Sequence, residues 1–282
     1  SSLLTKQDSK VLSTVALYII NPCVIINAFQ VQYSQDVKNG IILSFLAAII
    51  VHIIYIVGAR MIGKVYTLNG VEKATIIYTN AGNLIIPLVQ ALLGKEWVVY
   101  TTGYILVSTV FIWTHGRMLI CEETGFNGKE LLKNVNVIAS IIGILMFALK
   151  IQLPSLIIET MDSMSATIAP ICMIVAGMLI AGMDVKDCLK KNRLYVITFL
   201  KMIIFPLFAV VLFKFTNLSS MAKNGDMILL ISLLASVAPT AASVTQIAQI
   251  YDADSEYASA YYFITTLLCI LTMPFFVWIY QY

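Results

Sequence analysis

The chain has 282 residues, of which 60% are hydrophobic and only 12% are charged, and its formal net charge is +3. Soluble domains carry roughly 25% charged residues, so this composition excludes a soluble globule and predicts an integral membrane protein with several spans. The small net charge, with no basic cluster placed among aromatic residues, predicts no nucleic-acid partner.

The apolar segments are long enough to cross a bilayer as helices. A span requires about 20 apolar residues, and these runs are continuous and longer than the roughly 9–11 residues of a barrel strand. The sequence therefore predicts an all-α integral membrane fold. In chain order the candidate spans are residues 11–31, 39–62, 73–93, 97–119, 132–150, 156–182, 193–214, 226–250 and 256–281.

The distribution of basic residues predicts the orientation of the chain. When successive loops are assigned to opposite sides of the membrane, twelve of the 18 lysines and arginines fall on one side and five on the other. The remaining one, Lys201, lies within a span. Basic residues are enriched in cytoplasmic loops. We therefore expect a multi-pass protein of the plasma membrane whose residue 1 end is cytoplasmic and whose C-terminus is extracytoplasmic.

Four prolines within spans predict an internal repeat. Pro22 and Pro87 are 65 residues apart, and Pro170 and Pro239 are 69 residues apart. The two halves are offset by five spans, and because five is odd the second half has the opposite orientation, as in the inverted repeats of secondary transporters. The alternative is that these prolines are ordinary kinks of membrane helices.

The repeat predicts two domains. The first repeat covers residues 1–125, with a crossover helix at 73–93, and the second covers residues 126–282, with a crossover helix at 226–250. The second repeat has five spans and the first has four. We therefore expect a ten-helix inverted-repeat (5+5) transporter fold in which the first helix is missing from this chain.

The stretch "YTNAGNLIIPLVQ" (residues 78–90) predicts an interruption of the third span. Pro87 removes a helical hydrogen bond and Gly82 adds conformational freedom, and Pro239 within "SVAPTAAS" does the same in the eighth span. Each break exposes the N-terminus of a half-helix, where free N–H groups and a partial positive charge bind anions, particularly carboxylates. The alternative is that the polar side chains tie helices together. The candidate substrate-binding residues are Asn80, Asn83, Pro87, Pro239, Thr240 and Ser243.

The same residues resemble a known family. "NAGNLIIPL" resembles the N-x-G-N-x-G-x-P-L signature of the auxin efflux carrier family, which includes plant auxin carriers and bacterial permeases for organic acids. "LASVAPTAASVTQIAQIYDADSEYAS" resembles the second crossover of that family. The resemblance implies ten helices in two inverted repeats, broken fourth and ninth helices that cross in the core, and a homodimer. It places Asn80, Asn83 and Pro87 on the first crossover, and Pro239 and Thr240 on the second.

Three ionisable residues are candidates for charge support or coupling. Lys201 lies deep in its span and either offsets the charge of a substrate carboxylate or extends toward the headgroups. His52 either relays protons or hydrogen-bonds to a neighbouring helix. Asp162 lies near the outer end of its span, where it faces an outer vestibule, coordinates a cation or, with Glu159, forms a solvated helix end.

These features predict a secondary transporter that moves a small organic anion, a mono- or dicarboxylate, by alternating access, with H⁺ or Na⁺ as a coupling ion. The alternatives are a sodium-coupled symporter of bile-acid-like or keto-acid substrates and a ligand sensor with a transporter fold. The chain has no Walker A, HExxH or GxSxG motif, so neither ATP-driven transport nor an enzyme is expected. Its five cysteines form no CxxC pair and have no histidine cluster, which predicts no metal site and no cofactor.

Overall fold

The computed structural model describes residues 6–122, 133, 135–168, 170, 171, 174, 178 and 190–282. The regular structure in these ranges is helical and contains no β-strand, as the sequence predicts. In chain order the helices are α1 (Lys6–Val15), α2 (Asn21–Ala28), α3 (Gln35–Tyr66), α4 (Gly70–Ile77), α5 (Ala81–Leu92), α6 (Lys95–Cys121), α7 (Val135–Ala148), α8 (Ser155–Ala166), α9 (Asn192–Phe215), α10 (Gly225–Val237), α11 (Ala242–Ile250) and α12 (Ser255–Gln281).

Four of these helices, α3, α6, α9 and α12, are each long and apolar enough to cross a membrane. They correspond to the predicted spans 39–62, 97–119, 193–214 and 256–281. The predicted span 11–31 contains the second half of α1 and all of α2, span 132–150 contains α7, and α8 covers the first part of span 156–182. The predicted boundary between the two repeats, at residues 125 and 126, lies outside the described residues.

The two remaining spans, 73–93 and 226–250, are both interrupted. The first consists of α4 and α5, which are separated by residues 78–80, and the second consists of α10 and α11, which are separated by residues 238–241. Tyr78 and Ala238 have extended backbones, with φ −97° and ψ 129° at Tyr78 and φ −54° and ψ 152° at Ala238. A residue before proline is driven into this extended region, so Pro239 explains the end of α10 at the residues before it.

The first break does not lie at its proline. Helix α5 begins at Ala81 and runs through Pro87, which lies inside the helix about two turns after the break. Pro87 therefore removes one hydrogen bond within α5 but does not interrupt the span, and the expectation that it causes the first break is wrong. Pro239 also stands outside the helix that follows it, because α11 begins at Ala242.

Two other prolines each follow a π-helical turn within a longer helix. A π turn at Ala16–Ile20 precedes Pro22, and a second at Leu200–Ile204 precedes Pro206. A proline ring clashes with the carbonyl four residues earlier, and a wider helical turn at that carbonyl relieves the clash without ending the helix. A third π turn, at Ile112–Gly116 in α6, contains no proline.

An ion pair between a buried carboxylate and a half-exposed arginine fixes the start of α4 against α9. Glu72 is fully buried, and Arg193 donates hydrogen bonds from Nε to its Oε1 (2.7 Å) and from Nη2 to its Oε2 (2.6 Å). The carboxylate also accepts the backbone N–H of Asn69 (2.9 Å), and the Asn69 side chain accepts the N–H of Glu72 (2.8 Å). This reciprocal capping box explains why the helix begins at Gly70.

Helices α3 and α6 approach closely where α6 carries a glycine. A Cβ atom on Gly103 would lie 2.2 Å from Ser44 Oγ and 2.8 Å from the backbone nitrogen of Phe45. By contrast, a Cβ atom on Gly82 in α5 would meet nothing nearer than Ile105 Cγ2 at 4.0 Å. Gly103 is therefore required by the packing of the two helices, as small residues are in other membrane-protein interfaces.

We expect Gly103→Ala to destabilise the folded protein by about 1–3 kcal/mol, because the added methyl group overpacks the contact between α3 and α6. The thermal melting temperature of the purified protein in detergent measures this effect. Gly82→Ala is the matched control, since its methyl group enters open space and its melting temperature should stay near that of the wild type. Equal melting temperatures for the two variants would contradict the assignment of Gly103 to this contact.

Candidate functional site

The two helix breaks pair with each other through their backbones. The N–H of Asn80 donates to the carbonyl of Pro239 (2.7 Å), and the N–H of Ala241 donates to the carbonyl of Tyr78 (3.0 Å). Thr79 and Thr240 lie between these bonds as an isolated antiparallel bridge. The backbone groups that lose helical partners in one break are therefore satisfied by the other, which is what hydrocarbon surroundings require.

Helix α12 completes the hydrogen bonding of the second break. Thr265 Oγ1 accepts the N–H of Thr240 (3.1 Å), while its own hydroxyl lies 2.6 Å from the carbonyl of Tyr261, to which it donates. Thr240, Thr265 and Tyr261 are all fully buried. The single Thr265 hydroxyl thus satisfies a backbone donor that would otherwise have no partner in the core.

Tyr78 fixes the first break to α6. Its hydroxyl lies 3.0 Å from the carbonyl of Phe111, to which it donates, and 2.8 Å from Nδ1 of His115. Both partners are at the π turn Ile112–Gly116, where the widened helix leaves a carbonyl available to a side chain. A buried tyrosine that finds such a partner holds the extended residues 78–80 in one position.

A cavity of about 70 Å³ lies beside the paired breaks. Its walls come from α2, α5, α6, α7 and the start of α11, and none of the described residues that line it is charged. The polar part of the lining consists of amides and hydroxyl groups. The lining residues are Asn21, Val24, Ile25, Thr79, Asn80, Ala81, Gly82, Ile86, Ile105, Ser108, Thr109, Ile112, Trp113, Asn136, Ala241 and Ser243.

The N-termini of two half-helices border this cavity. Ala81 and Gly82 are in the first turn of α5, and Ser243 is in the first turn of α11. The N–H groups of a first turn have no acceptor within their own helix, and the helix dipole places partial positive charge there. The arrangement presents hydrogen-bond donors and positive potential to the cavity, and no cationic side chain is among its described lining residues.

The structure divides the six candidate substrate-binding residues. Asn80 and Ser243 line the cavity, whereas Pro239 and Thr240 belong to the paired breaks beside it. Pro87 lies further along α5 and does not line the cavity. Asn83 is in the first turn of α5, and its side chain lies outside what the structure describes.

The three ionisable candidates lie in separate places, and none lines the cavity. Lys201 is fully buried, donates from Nζ to the carbonyl of Ile76 (3.1 Å), and has its Nζ 5.8 Å from the ring centroid of Tyr55. His52 is also fully buried, and its Nδ1 lies 2.8 Å from the carbonyl of Ala48. Lys201 therefore contacts the last turn of α4, on the side of the first break that carries the negative end of a helix dipole.

Asp162 lies in a larger vestibule of about 310 Å³. Asn27 Nδ2 donates to its Oδ1 (2.9 Å), and Lys95 Nζ is 3.9 Å from its Oδ2. The side chains of Lys95 and Asp162 are 73% and 48% exposed, so this ion pair is open to solvent. The half-exposed side chain fits both of the predicted alternatives, a vestibule residue and a solvated helix end.

Sequence reasoning missed several polar residues of the cavity. Asn21 precedes Pro22 in the first span, Ser108 and Thr109 are in α6, and Asn136 is in α7. An asparagine within an apolar span is a signal for an internal site, and both Asn21 and Asn136 give that signal. Ser108 and Thr109 give none, because hydroxyl residues often bond to their own helix, as Thr109 does to the carbonyl of Ile105 (2.7 Å).

Comparison with known proteins gives one family. A family model described as membrane transport protein matches residues 1–127 and residues 123–277. Together the two matched segments cover almost the whole chain, including both breaks and the cavity. No curated protein matches the chain.

We expect Thr265→Val to destabilise the protein by about 1–3 kcal/mol, because the N–H of Thr240 loses its acceptor while remaining buried. Valine preserves the shape of the side chain, so the effect isolates the hydroxyl. Thermal melting of the purified protein measures it.

Thr266→Val is the matched control for this substitution. The Thr266 hydroxyl donates to the carbonyl of Tyr262 (2.6 Å) in its own helix, and the structure gives it no bond to either break. Its loss should change the melting temperature little. Two variants that melt alike would show that the second break does not depend on Thr265.

Proposed function

The chain belongs to the auxin efflux carrier family of membrane transport proteins, and on that premise we propose that it is a secondary transporter of a small organic anion. The family consists of transporters rather than enzymes. The observation that carries the proposed substrate class is the cavity at the paired breaks, where two half-helix N-termini meet amide and hydroxyl side chains. A mono- or dicarboxylate has the charge and the acceptor oxygens that such donors bind.

The proposed binding mode uses neutral groups. The carboxylate accepts N–H groups from the first turn of α5, where Ala81 and Gly82 leave the backbone open, and a further bond from the Asn80 amide. Ser243 adds a hydroxyl from α11. The partial positive charge of both helix ends offsets the charge of the substrate, so no lysine or arginine has to enter the cavity.

The proposed mechanism is alternating access in an inverted-repeat fold. The cavity lies between two groups of helices: Asn21, Val24 and Ile25 of α2 and Asn136 of α7 form one wall, and the breaks with α5 and α6 form the other. A displacement of one group against the other would open the cavity to either side of the membrane in turn. The similar construction of the two interrupted spans supports the ten-helix (5+5) plan. A homodimer in the plasma membrane, with a cytoplasmic residue 1 end, is part of the same proposal.

We expect Asn80→Ala to weaken carboxylate binding about 10- to 100-fold and to reduce flux accordingly, since a hydrogen bond to a charged group is worth about 1.5–3 kcal/mol. The protein should stay folded, because the backbone of Asn80 and not its side chain bonds to Pro239. The measurement is uptake of radiolabelled acetate, malonate and malate into proteoliposomes.

Asn217→Ala is the control for this variant, because Asn217 is exposed and does not line the cavity. Its flux should equal that of the wild type. Full flux in the Asn80→Ala protein would remove Asn80 from the site. Tight carboxylate binding without flux, in the wild type itself, would indicate a ligand sensor with this fold.

The position of Lys201 favours a transporter that does not need sodium. Secondary transporters bind Na⁺ at unwound carbonyls and at the C-terminal ends of half-helices. In this chain the ammonium of Lys201 already occupies such a place, at the Ile76 carbonyl in the last turn of α4. A cation that is part of the protein takes the place of a bound ion there, which leaves H⁺ as the proposed coupling ion.

We therefore expect flux of the same carboxylates to be unchanged when N-methylglucamine replaces sodium on both sides of the liposome membrane. Lys201→Met should lower flux at least tenfold, because α4 loses the cation at its negative end. Lys214→Met, on an exposed residue near the end of α9, is the control. Loss of flux when sodium is replaced would support the sodium-coupled symporter instead.

A further inference from the structure

The cavity at the breaks and the vestibule that contains Asp162 are neighbours. Among the described residues that line them, the two share Val24 and Ile86. The cavity has a volume of about 70 Å³ and the vestibule a volume of about 310 Å³. Among the described residues, these two side chains therefore lie between the small cavity and the larger vestibule.

These two side chains come from the two helix groups on either side of the cavity. Val24 is on α2 and Ile86 is on α5, and they are only 4% and 7% exposed. Both are apolar and branched at Cβ, so each has few rotamers and fills its space rigidly. We call Val24 and Ile86 together the partition.

The partition lies in the direction that a ligand chain would take. A carboxylate bound at the first turn of α5 has Asn80 beside it, and Ile86 lies about 9 Å further along the helix axis toward the vestibule. An aliphatic chain that extends along α5 meets Ile86 and Val24 before it can reach the larger chamber. Lateral space is limited by Ile105, Ile112 and Trp113.

We propose that Val24 and Ile86 determine the size of the anion by closing the crossover cavity to any chain long enough to extend into the vestibule. The inference rests on the proposed function, because it concerns the substrate of the same site. It narrows the substrate class to short carboxylates. A pocket distinguishes ligands that differ by one methylene group by roughly 10–200-fold, so the limit on length should be sharp.

The test measures how chain length affects binding, in the wild type and in variants of the partition. The ligands are straight-chain monocarboxylates from acetate to octanoate, and binding is measured as the rise in melting temperature of the purified full chain. The wild type should bind acetate and propionate and reject hexanoate and octanoate. Val24→Ala and Ile86→Ala should each raise the affinity for hexanoate relative to propionate by about tenfold or more, since they join the two chambers.

Leu92→Ala is the matched control, because Leu92 is on the same helix as Ile86 but is 66% exposed and lines neither chamber. Its preference for chain length should equal that of the wild type. If Ile86→Ala does not fold, Ile86→Val and Val24→Ala can replace it in the test, because they remove less volume. Both should shift the preference for chain length in the same direction. Val24→Leu enlarges the partition and should shift the preference for chain length toward acetate.

The outcomes separate this inference from the proposed function. Partition variants with the wild-type preference for chain length would overturn the inference while the wild type still binds short carboxylates. Faster flux of every acid by the same factor would also overturn it, because the partition would then be only a barrier to movement. A wild type that binds no carboxylate of any length would instead overturn the proposed function.

Discussion

The structure depends on the pairing of two extended segments within the hydrophobic interior. A break in a membrane helix leaves backbone N–H and C=O groups without partners, and the cost of each in hydrocarbon is several kcal/mol. Here residues 78–80 and 238–241 satisfy each other through the bonds from Asn80 to Pro239 and from Ala241 to Tyr78. Neither break is stable without the other, so the pairing fixes where α5 and α11 begin and therefore where the cavity lies.

The surrounding helices keep the paired segments in place. Tyr78 bonds to the π turn of α6, Thr265 of α12 accepts the N–H of Thr240, and Lys201 of α9 donates to the last turn of α4. At its other end, α4 is held by the Glu72–Arg193 pair, in which a buried carboxylate accepts hydrogen bonds at both oxygens. These contacts come from three helices, α6, α9 and α12, so a movement of the breaks requires these helices to move together as one group.

The sequence predicted the interruptions and their polar surroundings, but its account of their cause was incomplete. Pro239 explains the second break, because the preceding Ala238 takes the extended conformation that proline imposes. Pro87 does not explain the first, since α5 continues through it, and the extended conformation of residues 78–80 comes from tertiary contacts of Tyr78 and Asn80. Such contacts join residues far apart in the chain, and the periodicity of a single segment carries no information about them. Asn21 and Asn136 are a different case, because a polar side chain within an apolar span marks each of them in the sequence itself.

The charges around the first break bear on the proposal that the cavity, whose described lining residues include no cationic side chain, binds an anion. The ammonium of Lys201 lies at the C-terminal end of α4, and the N-terminal turn of α5 faces the cavity on the other side of residues 78–80. A carboxylate bound at α5 and the ammonium at α4 have opposite charges across a short stretch of low dielectric, where their attraction is weakly screened. With Lys201 protonated, a bound carboxylate would leave this region with less net charge than the empty cavity has. Because buried charge is costly within a bilayer, the proposed displacement of the helix groups would then cost less with the carboxylate bound than with the cavity empty.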